Sequence, residues 1–202
     1  MQQYPVSLVL DGKPVLVVGG GRVAARKVDG LLVCGAQVTV VAPDVADELQ
    51  NRPGVTVEER PYRAGDIDGY QLVVSATDDP AVNRSVHDDA EAAGVWVNSA
   101  DDPANCTFML PSVLRRGPIT VAVATGGHSP GLAAWLRRRL EDEVGPEYET
   151  LLDLLAEARA EVQAEGRSTE GVDWQSALDS EILDMIRAGR VNEAREHLRS
   201  WL

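Results

Sequence analysis

The stretch Val15–Lys27, VLVVGGGRVAARK, constrains this chain more than any other. Four apolar residues run into three glycines, and an amphipathic segment follows. That order predicts a buried strand, a tight turn and a helix start. Gly19, Gly21 and Ala24 fit the pattern G-x-G-x-x-G/A, in which the last small residue lets the helix lie close on the strand. Gly19 permits the sharp turn. Gly21, lacking a side chain, lets a pyrophosphate approach the backbone. The helix N-terminus beyond it offers unpaired N–H groups and a partial positive charge to such an anion. Glycine turns between a strand and a helix are common, so the residues that follow decide what this one means.

Those residues alternate strand and helix with short loops. Strands are predicted over 14–18, 37–42, 55–60, 70–76 and 95–98. A helix over 22–34, with Val23, Val28, Leu31 and Leu32 facing inward, stops at Gly35, and a short one begins at Pro43-Asp44 and ends before Pro53. A third starts at Asp79-Pro80 and lasts to about 93, with Pro80 at its first position. This is the signature of an α/β, Rossmann-like doubly wound parallel sheet. Residues 4–10 read as an extended arm ending at the Asp11-Gly12 turn. After residue 101 the pattern changes to a strand at 107–110, a turn at 115–118 and a strand at 119–124. The Thr125–Gly131 loop then enters a helix with Leu132, Leu136 and Leu140 on one face. Three apolar stripes follow: Leu151, Leu155, Ala158 and Val162; Trp174, Leu178, Ile182 and Met185; and Val191, Ala194, Leu198 and Trp201. The expected organisation is a dinucleotide-binding domain over 1–112, a linking, dimerisation and substrate-binding segment over 113–144, and a small helical domain over 145–202.

At 202 residues the chain is long enough to bury a core. No apolar run is long enough to span a bilayer, and the N-terminus lacks a basic region followed by an apolar one, so the expected compartment is the cytoplasm. Cys34 and Cys106 have neither metal-ligand spacing nor the look of a disulfide framework and read as buried thiols. The net charge is −13, and Lys13 and Lys27 are the only lysines. Such a surface repels nucleic acid and anionic membranes, which excludes both as expected partners. It suits a high-salt cytoplasm, where self-repulsion is screened, and equally an ordinary acidic cytosolic protein.

Ligands of open α/β sheets bind beyond the carboxyl ends of the strands, so the residues there are the candidates. At the second strand's tip stands Ala42, and the acid expected for an adenosine ribose is displaced to Asp44. Asp44 either accepts a ribose hydroxyl bond, repelling a 2′-phosphate and favouring NAD over NADP, or caps the short helix. Thr77 lies near the end of the fourth strand, within reach of a cofactor, while Asp79 before Pro80 reads as a helix N-cap. Asp101 follows the fifth strand in a loop held by Asn98 and Pro103. A partly desolvated carboxylate there is a candidate general base; the alternative is an Asx-type turn before Pro103, and Asp102 competes for the same role. His128 reads as a solvent-facing loop histidine, with no carboxylate at ligand spacing. Ser129-Pro130 reads as an N-cap with proline at the first helical position, and Gly126-Gly127 brings backbone near a ligand.

Taken together, several of these segments carry a family. Val17–Lys27, Ala76-Thr77-Asp78-Asp79, Asn98 with Asp101 and Pro103, Phe108–Ser112 and Val121–Pro130 resemble, in order and spacing, the precorrin-2 dehydrogenases, including the N-terminal module of siroheme synthase. The match runs over roughly residues 1–140; the helical tail is similar only in kind. The resemblance implies an NAD-dependent oxidation of precorrin-2 to sirohydrochlorin, a step in siroheme biosynthesis, by a homodimer. Some members also act as sirohydrochlorin ferrochelatases, for which iron(II) is a substrate and no permanent metal site is needed. The resemblance places the key carboxylate on Asp101 and not Asp102. It places cofactor contacts on Gly19, Gly21, Arg22, Val23, Pro43, Asp44 and Thr77, and tetrapyrrole contacts on Asn98, Thr125, Gly126, Gly127, His128 and Ser129. Two departures stand out: Thr125 replaces a serine common in the family, and His128 stands where a threonine or lysine is frequent. The Ser129 helix N-terminus, Arg115 and Arg116 are the local positive features offered to a polycarboxylate substrate.

Two other readings stay open from the residues. One is a nucleotide-sensing regulatory domain such as those that gate potassium channels, although these usually keep an acid at the second strand tip, where this chain has Ala42. The other is a chelatase without dehydrogenase activity, which predicts no NAD binding.

Overall fold

Pro14–Val18 (β1) lies at the centre of a five-stranded, all-parallel sheet. The other strands are Gln37–Ala42 (β2), Val55–Glu59 (β3), Leu72–Ser75 (β4) and Trp96–Ser99 (β5), and the order is β3-β2-β1-β4-β5. In register, Val18 stands beside Val41 of β2 and Ser75 of β4. Strand order therefore reverses at β1, and the switch point falls between the carboxyl ends of β1 and β4. The computed structural model describes residues 3–100 and 102–202. Its contacts divide the chain into two units, residues 1–110 and 111–202.

The first unit follows the predicted alternation closely. Val15, Leu16, Val17 and Val18 are all buried, as a strand covered on both faces requires. Arg22–Leu32 (α1) covers one face with Ala24, Ala25 and Val28, and Gly35 supplies the left-handed residue, φ 74°, that ends its C-terminal turn. Pro80–Ala93 (α3) covers the other with Val86 and Ala90. The carboxylate of Asp79 accepts from the Ala81 N–H at 2.8 Å, so Asp79 is the N-cap, with Pro80 next to it. Residues 4–10 form no strand or helix, and Tyr4, Val6 and Val9 are exposed.

Four expectations need correction. The short helix does not begin at Pro43-Asp44 but spans Asp47–Gln50 (α2), because residues 43–46 are drawn across the glycine turn first: the Ala46 N–H donates to the Gly20 carbonyl at 2.9 Å. Residues 107–110 are not a strand. The Thr107 and Phe108 N–H groups are spent on the Val97 carbonyl, closing a loop onto β5, and the strand begins later, at Ser112–Arg116 (β6). The cysteines are free but only half-buried. The stripe from Trp174 to Met185 is two short helices, Trp174–Leu178 (α6) and Ile182–Arg187 (α7), with the Ser180 hydroxyl folded back onto the Ala177 carbonyl between them.

In the second unit β6 pairs antiparallel with Ile119–Val123 (β7) through a two-residue turn in which Gly117 takes φ 50°. Pro130–Glu143 (α4) packs on this hairpin, burying Ala133 and leaving Leu132 and Leu136 exposed, so the predicted apolar face of that helix does not enter a core. Glu147–Ala164 (α5), α7 and Val191–Arg199 (α8) bury Leu151, Leu154, Ile182, Ala194 and Leu198 against one another. Arg187, Arg195 and Arg199 strap α7 and α8 to Glu147, Glu157 and Glu161 of α5.

The crossover from β3 to β4 has no helix. Arg60 holds it instead, donating to both oxygens of Asp66 at 2.7 and 3.0 Å. Burial raises the Asp66 carboxyl, but the Arg60 hydrogen bonds and the Arg63 N–H outweigh it and hold it below the usual carboxylate range. A lowered folded-state pKa stabilises at neutral pH, and that contribution disappears as pH falls through the folded value. Replacing Asp66 by Asn should lower the melting midpoint at pH 7 by roughly 1–2 °C, as befits a half-buried pair still reached by water. Melting curves from pH 7 to 3 should show the gap to the wild-type protein closing; a gap constant in pH contradicts the assignment.

Candidate functional site

The three glycines after β1 are glycine for three different reasons. At Gly19, φ is 124°, and a Cβ would lie 2.3 Å from the Ala76 carbonyl oxygen. At Gly20 a Cβ would lie 2.1 Å from the carbonyl oxygen of Asp44. Both positions are closed by the backbone of neighbouring strand ends, β4 for the first and β2 for the second. At Gly21 a Cβ would meet nothing within 4 Å. Gly21 is exposed and is the N-cap of α1, with no side chain to satisfy the first-turn N–H groups. No acid stands in that first turn, and Arg22, exposed, makes no ion pair among the described residues. A cation beside a helix N-terminus is unfavourable unless an anion joins them. The open space above Gly21, the unpaired N–H groups and Arg22 therefore fit a dinucleotide pyrophosphate.

Around this turn the predicted cofactor residues come together at the switch point. Val23 is half-buried in the first turn of α1. Pro43 and Asp44 are exposed beyond β2, and Asp44 does not cap α2, whose N-cap is Ala46. Its carboxylate makes no hydrogen bond among the described residues, which leaves it available to an incoming hydroxyl. Thr77 is committed instead. Its hydroxyl donates to Asn83 Oδ1 at 2.8 Å and accepts from the Asp79 N–H at 3.2 Å, and its backbone N–H donates to the same Asn83 oxygen at 3.4 Å. Asn83, from α3, also accepts from the Ser75 hydroxyl and donates to the Thr77 carbonyl at 2.9 Å. It organises the loop after β4, and its only sequence signal is an amide on the inward face of a helix just past the N-cap.

Beyond β5 the chain makes a tight loop. Thr107 N–H donates to the Val97 carbonyl and Val97 N–H to the Thr107 hydroxyl, both at 2.8 Å, closing its neck. Asn98 is 5% exposed, and its amide donates to the Phe108 carbonyl at 3.1 Å. The Cys106 thiol accepts from the Ser99 N–H at 3.2 Å; burial pushes it up, partly offset by that bond. Asp101, the predicted carboxylate, lies outside the described residues. Asp102 is engaged in its own turn: one oxygen accepts from the Ala104 N–H at 3.2 Å and the other from Asn105 Nδ2 at 2.6 Å, capping the 3₁₀ turn Pro103–Asn105.

The remaining predicted residues belong to the second unit. In the loop after β7, Thr125 accepts from the Ser129 N–H at 3.2 Å, and the Ser129 hydroxyl caps α4 by accepting from the Leu132 N–H at 3.2 Å. Gly126 and Gly127 take φ 61° and 81° and are exposed. His128 is exposed as expected; its Nδ1 bonds to the Gly126 carbonyl at 3.1 Å, leaving Nε2 to solvent. Arg116 is not free for a substrate: it donates to the Val144 carbonyl at 3.0 Å, at the end of α4. Among the described residues, no group of three His, Cys, Asp or Glu side chains is placed to hold a metal ion, and no helix is long and apolar enough to cross a membrane.

Comparison with known proteins adds the lineage. Residues 6–112 match a family described as putative NAD(P)-binding, and residues 116–143 match the family of the sirohaem biosynthesis protein central region. The chain is 39% identical over its whole length to a siroheme synthase of Nitrosococcus oceani and 38% identical to that of Nitrosomonas europaea, and it covers 44% of each. It thus spans less than half the length of these curated relatives. A solved structure titled SirC, precorrin-2 dehydrogenase, is 28% identical, with a TM-score of 0.76 over 98% of this chain and 100% of that one. With the NAD(P)-binding match running through the strands and the glycine turn just described, and across more than half of the chain's residues, this chain belongs to the putative NAD(P)-binding family.

Proposed function

We propose that this chain catalyses the NAD-dependent dehydrogenation of precorrin-2 to sirohydrochlorin. The observation that carries the reading is the likeness to SirC over the full length of both chains, joined to a glycine turn whose one open position faces the sheet's switch point. Bound NAD supplies the hydride acceptor. The chain's own residues bind and orient it. Gly19 and Gly21 with the N-terminus of α1 receive the pyrophosphate, assisted by Arg22 and Val23. Pro43 and Asp44 hold the adenosine ribose, where the free carboxylate accepts a hydroxyl bond and repels a 2′-phosphate, and Thr77, fixed by Asn83, borders the cofactor.

Precorrin-2 loses two hydrogens, one as hydride and one as a proton. We assign the proton to the Asp101 carboxylate, which passes it to water. That Asp102 has both oxygens occupied supports this choice between the two neighbours. In the second unit the exposed Gly126 and Gly127, with Thr125, His128 and Ser129, receive the tetrapyrrole, and Asn98 acts through the loop it holds. Substituting Asp101 by Ala should lower turnover of precorrin-2 by roughly 10²–10⁴-fold while NAD affinity stays near that of the wild type. The check is sirohydrochlorin and NADH appearing together; folded protein that makes neither refutes the function, and unchanged turnover in the variant moves the base elsewhere.

The glycines separate binding from folding. Gly20→Ala forces a Cβ against backbone and should cost about 1–3 kcal/mol in chemical denaturation. Gly21→Ala should stay within about 1 kcal/mol of the wild type and yet lose NAD affinity by tenfold or more, roughly 1.4 kcal/mol of binding. A Gly21→Ala protein that binds NAD normally by calorimetry would place the pyrophosphate elsewhere.

The proposal includes a homodimer. Leu132 and Trp135, each 47% exposed, and Leu136 form a stripe on α4 that a lone chain leaves to water. Sedimentation velocity should give a dimer for the wild type and a monomer for the double variant Leu132→Glu, Trp135→Glu. A wild-type monomer at micromolar concentration excludes this part of the reading.

A further inference from the structure

We propose that Lys27 is a positioning residue for the dehydrogenation, tying the helix that follows the glycine turn to the loop that carries Asp101. The inference rests on the function proposed above. Of the 19 Lys and Arg residues only Lys13 and Lys27 are lysines, and Lys13 is exposed. Lys27 is half-buried on α1 between the core residues Ala24 and Val28. Its ammonium donates to Asn98 Oδ1 at 3.4 Å, across 71 residues of sequence. Asn98 is too deeply buried to turn to water, and its other amide edge reaches the Phe108 carbonyl and, at 3.5 Å, Cys106 Sγ. One cation thus reaches, through one amide, both ends of the 99–106 loop.

The loop needs such a tether. It carries two adjacent acids, and in the surrounding field the Lys27 charge opposes that of Asp102 at the Cys106 thiol. An ammonium is a compact point charge on a flexible stem and fits the single acceptor Asn98 offers, where a guanidinium is shaped for a two-oxygen partner. Removing it leaves a buried amide oxygen without a donor and takes away the charge that opposes Asp102 at the Cys106 thiol. The neck bonds at Val97 and Thr107 remain, so the consequence is a loosened loop on an intact sheet. A carboxylate displaced by a fraction of an ångström to an ångström costs up to about 10²-fold in rate.

The test compares wild-type protein with Lys27→Met, which keeps the stem and removes charge and donor. Amides of residues 98–108 should exchange with deuterium about tenfold faster, while those of β1 and β4 are unchanged. The kcat for precorrin-2 should fall roughly 10–100-fold with the Kd for NAD within about twofold of the wild type. Wild-type exchange and kcat in the variant overturn the inference, and so does a Kd for NAD that rises in step with the loss of kcat, since that places Lys27 in the cofactor site. If Lys27→Met does not fold, Asn98→Ser cuts the same link from the other end and is read by exchange alone: faster exchange over 98–108 supports the tether and wild-type exchange overturns it. Wild-type protein without precorrin-2 turnover refutes the proposed function instead, and the exchange comparison, which uses no substrate, still decides whether the tether exists.

Discussion

Three strand ends meet backbone to backbone beyond β1, and the rest of the first unit depends on that contact. Gly19 leaves room for the carbonyl of Ala76, Gly20 for that of Asp44, and the Gly20 carbonyl takes the N–H of Ala46. With no side chain between them, the loops after β1, β2 and β4 converge on one small area. The helix that leaves this area is set by the same contact, so its N–H groups point where the loops converge. Close packing by glycine at a crossing of main chains is costly in chain entropy, and it is repaid here by bringing residues 22, 44 and 77 into one neighbourhood.

Much of this was legible in the residues. A strand of four buried apolar residues, an amphipathic helix stopped by Gly35, and Asp79 capping ahead of Pro80 each carry a local physical signature that tertiary contacts only reinforce. The misreadings occurred where a long-range bond overrides the local signal. Residues 43–46 look like a helix start but are taken by the Gly20 carbonyl. Thr107 to Leu110 has strand composition, yet its N–H groups close a loop on Val97. On α4, periodicity identified an apolar face, but periodicity alone does not say whether such a face meets a core or water.

The site was legible in type more than in arrangement. That Gly21 stands open while Gly20 is closed by backbone is visible only when the neighbours of an imagined Cβ are known. Asp101 and Asp102 compete as neighbours in the sequence until the family resemblance favours Asp101, and only the structure shows that each oxygen of Asp102 accepts a bond within its own turn. Thr77 and Arg116 have the right chemistry for ligands but are already bonded within the chain, one to Asn83 and the other to the end of α4. Asn83 gave almost no signal, because a buried amide on a helix resembles any other polar interruption until its partners are seen.

The closed neck between Val97 and Thr107 has a further consequence. Beyond Ser99 the chain leaves the sheet and returns to Val97 through Thr107, and the strand pairing and the two apolar clusters are built from residues outside that excursion. Such a loop is a cassette on a rigid frame. Its acids, its thiol and its 3₁₀ turn can be exchanged as a block, with the frame still presenting whatever replaces them at the carboxyl edge of the sheet. A fold built this way is free to change its chemistry faster than its architecture.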